Sequence, residues 1–232
     1  ALGGAAVAAV VFASVRAVVS DGDVAEDIVD LCHSLYTAVV STVASSSASL
    51  QPCRALDESK REALVLPPRA FAQASSMFAR SLGYFWADAV YVLGCRSCGH
   101  RPNMWLERLG HHVLQTVANL TCLMPGPGIE ARRCTLAFAY MAEASSIPLR
   151  LSALARRAKA GDVLLRALRI CTLGTFALCR LLNGAYCMSL LASSRLHVSA
   201  SLLGLQFFGA AAAYAMNWAW FLRMLRAKSR LG

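Results

Sequence analysis

The feature that most constrains this chain is a succession of apolar runs, most of them long enough to cross a bilayer, separated by short polar breaks. They cover residues 2–20, 28–50, 70–94, 105–124, 133–154, 164–191 and 196–225. A helix needs about 20 mostly apolar residues to span the hydrocarbon core, so seven such segments would use more than half of 232 residues. Hydrophobic residues make up 57% and charged residues 16%, and the mean hydropathy is +0.50, which favours a bilayer over a large water-soluble core. A membrane β-barrel requires segments of about ten residues with alternating polarity. Stretches such as Ala210-Ala-Ala-Ala213 and Leu202-Leu-Gly-Leu-Gln-Phe-Phe208 lack that alternation. The expected fold is therefore all-α: a polytopic transmembrane bundle of about six core helices plus one N-terminal helix.

The breaks have their own chemistry. Residues 2–20 are interrupted only by Arg16 and read as an additional helix, peripheral or spanning, followed by an acidic linker from Asp21 to Asp30. The division expected is 1–27 for that helix and linker, and 28–232 for the transmembrane domain. Residues 51–69 form a loop rich in Pro and charge, and Pro125-Gly-Pro-Gly128 is a turn that neither helix nor strand tolerates. The net charge of +10 sits between and at the ends of the apolar runs, as in loops facing anionic headgroups; it makes no basic stripe with interleaved aromatics, so nucleic acid is not an expected partner. Counting Arg and Lys in the loops (Arg108 among them) gives a modest excess on the C-terminal side, which places the C-terminus in the cytoplasm or its equivalent.

Most of the nine cysteines lie in or beside apolar stretches, where the thiol behaves as a small hydrophobe. Cys95-Arg-Ser-Cys98-Gly-His100 is the exception, half of a zinc ligand set with no second CxxC to complete it. It reads as a thiol pair at the membrane boundary, and no metal is expected. No G-x-S-x-G, P-loop or G-x-G-x-x-G occurs, so no cofactor is expected. Trp86, Trp105, Trp218 and Trp220 read as interfacial anchors.

The informative residues are the polar ones inside the runs: His33, Asp88, His111, His112, Glu143, Arg180 and Asn217. An ionisable side chain at a helix centre costs about 2.5–3.5 kcal/mol on insertion scales, so each should face the interior and find a partner. Arg180 is expected to pair with Glu143 or Asp88. Two readings remain open: these groups lock helices together, or they line a cavity. In the second reading small residues (Gly110, Ala142, Ala144, Gly184, Ala215) leave room for a lipid among Leu and Ala walls.

Several short motifs occur in order along the chain: Cys32-His-Ser-Leu35, Ser81-Leu-Gly-Tyr-Phe-Trp-Ala-Asp88, Trp105 with Leu109-Gly-His-His112, Ala142-Glu-Ala-Ser-Ser-Ile-Pro148, Phe176 with Arg180, and Asn217-Trp-Ala-Trp-Phe221 before a basic tail. From about Asp30 to Lys228 the sequence resembles the TLC-domain family, which includes ceramide synthases, translocating-chain-associated membrane proteins and small lipid-homeostasis proteins. The resemblance is to the small members. It implies a barrel of helices around a cavity open to the bilayer, membrane lipids as partners, and residence in the endoplasmic reticulum, with an organelle inner membrane as the alternative. In the ceramide synthases a double His works with a downstream pair of acids. Here Glu143 stands for the first acid and Ser146 for the second, which speaks against that acyl transfer. A lipid-handling protein and a non-catalytic subunit of a larger membrane complex are the two functional classes that follow.

Overall fold

The computed structural model describes residue 14 and residues 22–52, 62–97, 105–126, 129–193 and 200–226. The proposed N-terminal helix over 2–20 (save residue 14) and Cys98–His100 of the thiol motif lie outside the described residues, as do residues 127 and 128 of the Pro-Gly turn.

The described chain forms six helical rods. The first three are α1 (Gly22–Ser46), α2 (Pro68–Ser97) and α3 (Trp105–Leu123). The fourth runs through α4 (Ile129–Tyr140), a 3₁₀ turn (Met141–Ser145) and α5 (Ser146–Arg157). The fifth runs through α6 (Asp162–Phe176), a π turn (Ala177–Leu182) and α7 (Asn183–Ser193), and α8 (Ala200–Arg226) is the sixth. The bundle expected from the apolar runs is present, with boundaries shifted by a few residues. Two departures are local. The acidic stretch read as a linker lies largely inside α1, which begins at Gly22. The loop between α1 and α2 contains a small antiparallel pair, β1 (Ser49–Pro52) and β2 (Glu62–Val65), with Ser49 opposite Val65. Pro68 then opens α2, where its missing N–H costs nothing.

The rods alternate in direction, as ion pairs at one end establish. Residues near the start of α1 meet the start of α3 through Glu26 and Arg108, and the end of α5 through Asp27 and Arg157. The start of α3 meets the end of α8 through Glu107 and Arg223. At the other end Arg133 of α4 donates to the Cys122 carbonyl of α3 and to Ser75 of α2, while Gln206 of α8 donates to Thr121. The apolar core concentrates at this second end, around Ala44, Leu66, Ala74, Met77, Phe78, Cys134 and Ala137. Cys32, Cys122, Cys134, Cys171, Cys179 and Cys187 are free thiols, and Cys122, Cys134 and Cys187 are buried as hydrophobes.

Outward surfaces are apolar. Val39, Val90, Val163, Ile170, Leu178 and Phe208 are exposed, and no residue of α8 is buried. Such a surface is unstable in water and suits hydrocarbon. By length and hydropathy alone, one described helix, Val24–Ser46, is long and apolar enough to cross a membrane. The fourth and fifth rods are split by their 3₁₀ and π turns into pieces of 12 to 15 residues or fewer, and α2 and α3 carry the charged groups described below.

Pro148 accounts for the break in the fourth rod. It has no N–H to give the Ala144 carbonyl, and its ring is compatible with a helix only in the first turn. The rod therefore tightens into a 3₁₀ turn and starts afresh at Ser146. Gly184 allows α7 to meet α8: a Cβ there would lie 2.9 Å from Tyr214 Cδ2. Its smallness serves packing rather than a cavity, contrary to the sequence-based expectation.

Arg132 is 2% exposed and its guanidinium binds carbonyls in the last turn of α3 and just beyond it, donating to Thr121, Met124 and Gly126. These are carbonyls that a helix end leaves without partners. Arg132→Leu should lower stability by about 1–3 kcal/mol, the cost of leaving such groups unsatisfied. Exposed Arg166→Leu should change it by less than about 0.5 kcal/mol. Denaturant titration in detergent micelles checks both values, and an Arg132→Leu protein as stable as wild type removes the capping role.

Candidate functional site

At the end of the bundle opposite the apolar core, α1, α2, α3, the 3₁₀ turn, α5, the end of α6, the π turn and α8 line a cavity of about 670 Å³. Three polar groups of contacts build it.

The first is centred on Asp88 of α2, which has no solvent exposure. Arg108 of α3 grips it with both arms: Nε donates to Oδ2 at 2.6 Å and Nη2 to Oδ1. The remaining Nη1 of Arg108 pairs with Glu26 of α1. His112, one turn beyond Arg108, places Nε2 2.5 Å from Asp88 Oδ2. Bidentate pairing fixes the carboxylate. The carboxylate in turn orients the imidazole: with Nε2–H donated to Asp88, a neutral ring carries its lone pair on Nδ1. That Nδ1 is buried and has no hydrogen-bond partner.

The second group joins α1 to α5. Asp30 accepts from the Tyr84 hydroxyl and pairs with Arg150. Arg150 Nη1 also donates to Asp27 at 3.1 Å, and Arg157 Nε lies 3.4 Å from the same carboxylate. Tyr84 presents its ring to His33, stacked at 3.9 Å, and His33 Nε2 is a second buried ring nitrogen without a partner.

The third group brings the two interrupted rods together. Glu143 lies on the 3₁₀ turn and Arg180 on the π turn, and π turns commonly occur where a helix must re-aim a side chain at a functional site. Arg180 donates Nε to Ser145 at 2.8 Å, Nη2 to Ser146 at 2.9 Å and Nη1 to Asn217 at 3.2 Å. Its Nη2 is 3.9 Å from Glu143 Oε1, and Ser146 donates to Glu143 Oε2 at 3.0 Å. Glu143, not Asp88, is thus the acid beside Arg180. Ser146 links the guanidinium to that carboxylate, where a second acid was sought from the motif.

All seven residues singled out from the sequence are brought into these groups or against them. His111 sits between Phe85 and Trp220, at ring separations of 6.1 and 5.8 Å, and lines the cavity with His33, His112, Glu143 and Arg180. Asp88 and Asn217 stand behind the lining as partners of His112 and Arg180. The walls differ from the expected Leu and Ala: aromatic and charged side chains prevail, and none of the small residues named for this purpose lines the cavity. Trp220 lines the cavity, and its indole N–H donates to Glu107 at 3.0 Å. Arg108 is a half-buried partner of Asp88 within α3, not a loop charge.

Sequence reading missed Glu26, Asp27, Asp30, Arg108 and Arg150. The signal was helical spacing. Glu26, Asp27, Asp30, His33 and Ser34 recur at three- and four-residue steps on one face of α1, and Arg108, His111 and His112 do so on α3.

An apolar exterior around a buried, ion-paired interior defines a multi-pass helical membrane domain. The family model for the TLC domain matches residues 23–226, and the chain belongs to that family. Comparison with curated proteins and with solved structures gave no match.

Removing one partner of a buried ion pair costs about 3–5 kcal/mol, because the other charge is left uncompensated. Arg108→Leu and Arg180→Leu should each fall in that range. Glu143→Gln combined with Arg180→Leu should recover part of the loss, with a coupling of about 0.5–3 kcal/mol. A double-mutant cycle of unfolding free energies in micelles measures it, and strictly additive losses would show that the two groups do not interact.

Proposed function

We propose that this TLC-domain protein holds a membrane lipid in its polar cavity, with the head of the lipid among His33, His111, His112, Glu143 and Arg180. The observation that carries this reading is the cavity itself. At about 670 Å³ it falls within the range of about 300–1,000 Å³ usual for small-molecule sites, and it combines Phe85, Leu149, Phe176 and Met224 with convergent polar groups. Groups that only tie helices together have no need of that space, nor of imidazole nitrogens left unpaired.

Ceramide synthesis is not the proposed activity. Ser146 stands where a second carboxylate would be needed, and its hydroxyl is engaged between Arg180 and Glu143. The resemblance to the small TLC-domain proteins supports residence in the endoplasmic reticulum, with the cavity end and the C-terminus on the cytoplasmic side by the distribution of basic residues. Service as an accessory subunit of a larger membrane complex is the rival that the following experiment addresses.

Lipids that co-purify with the full chain are identified by mass spectrometry for wild type, His112→Ala, Glu143→Ala and the cavity-filling Leu149→Trp. Leu149 lines the cavity, is 40% exposed and belongs to none of the ion pairs, so its replacement removes no charged partner. Wild type should retain a defined lipid that all three variants lose. Retention of nothing above the detergent background, or of the same species equally by all four proteins, would sink the lipid reading in favour of the accessory subunit.

A further inference from the structure

Resting on the lipid-binding reading, we infer that the cavity selects a lipid whose head is uncharged and carries a hydroxyl group, rather than a phosphate, a carboxylate or an amine. Charge pairing gives the first half of the argument. Among the described residues the arginines that line the cavity are Arg108, Arg150, Arg157, Arg180 and Arg223, and each is already paired with a carboxylate of the chain. The lining carboxylates are the other halves of those same pairs. A phosphate or carboxylate head must therefore share a guanidinium with the acid that it already neutralises, and an ammonium head must share an acid with its guanidinium. Either case adds a charge that the pocket does not compensate, which is the costly outcome beside the buried Arg180–Glu143 and Arg108–Asp88 pairs.

The unpartnered nitrogens give the second half. His112 is 5% exposed, its Nε2 lies against Asp88, and its buried Nδ1 has no hydrogen-bond partner; in the tautomer with the hydrogen on Nε2 that nitrogen is an acceptor. A buried acceptor without a donor is unfavourable, and a ligand that supplies one recovers that cost. Ionised carboxylates, and phosphates with no acidic hydrogen, have none to offer, whereas an alcohol does. His33 Nε2 lines the same cavity, also without a partner. A hydroxyl both donates and accepts, so it satisfies this ring in either tautomer. A glycerol or comparable alcohol head with more than one hydroxyl can serve both rings at once.

Three probes with the same acyl chain separate the possibilities: 1-monooleoylglycerol, methyl oleate, which is uncharged but has no donor, and oleate. Binding to the purified full chain in micelles is followed by native mass spectrometry at low and high salt. Monooleoylglycerol should bind about tenfold more tightly than the other two, the effect of one satisfied hydrogen bond, and should not respond to salt. In His112→Phe, which keeps a flat ring and removes the acceptor, the advantage over methyl oleate should shrink to near unity. The ranking on wild type decides the matter even where that variant fails to fold. Methyl oleate binding as well as monooleoylglycerol, or oleate binding best with salt sensitivity, overturns the hydroxyl preference while leaving the cavity a lipid site. Binding of none of the three overturns both readings.

Discussion

The grip of Arg108 on Asp88 is the interaction on which the rest of this structure depends. A carboxylate without solvent exposure in the middle of a membrane domain is tolerable only if a cation neutralises it and its lone pairs are filled. Arg108 does both, and the same guanidinium reaches Glu26 on α1, so one side chain ties three helices together at the cavity end. With Asp88 fixed, His112 has one orientation, and its Nδ1 is kept from any bond within the protein. Packing of the three helices and the chemistry of the site are consequences of one bidentate contact.

The two ends of the bundle solve different problems. Near the β1–β2 pair, small and apolar side chains fill the interior, and Arg132 and Arg133 satisfy the carbonyls at the end of α3. At the cavity end the interior is polar, and stability comes from charges that compensate one another. Two rods abandon regular α geometry between these regions. Pro148 compels one break, while the π turn at Ala177–Leu182 has no residue in it that requires such a turn. The result is that Glu143 and Arg180 meet through Ser146. Their direct separation of 3.9 Å makes this the loosest of the buried pairs.

Much of this was legible in the sequence. Apolar runs of spanning length determine a helical bundle, because no other unit of that length satisfies its own backbone in lipid. The cost of ionisable groups in hydrocarbon sends Asp88, His111, His112, Glu143 and Arg180 to the interior. The ordered motifs pointed to the TLC domain, and the family match over residues 23–226 shows that membership.

Pairing was decided only in three dimensions. Glu26, Asp27 and Asp30 look like a solvated linker in the sequence, since an acidic cluster ahead of an apolar run is normally outside the membrane. Their partners, Arg108, Arg150 and Arg157, stand 82 or more residues away along the chain, and only the alternation of the rods brings them together. The same holds for Trp220 and Gly184, whose roles depend on which neighbour fills the adjacent space. Hydrophobicity is a property of each segment and can be read one residue at a time. Charge compensation is a property of pairs, and the pairs exist only once the helices have packed.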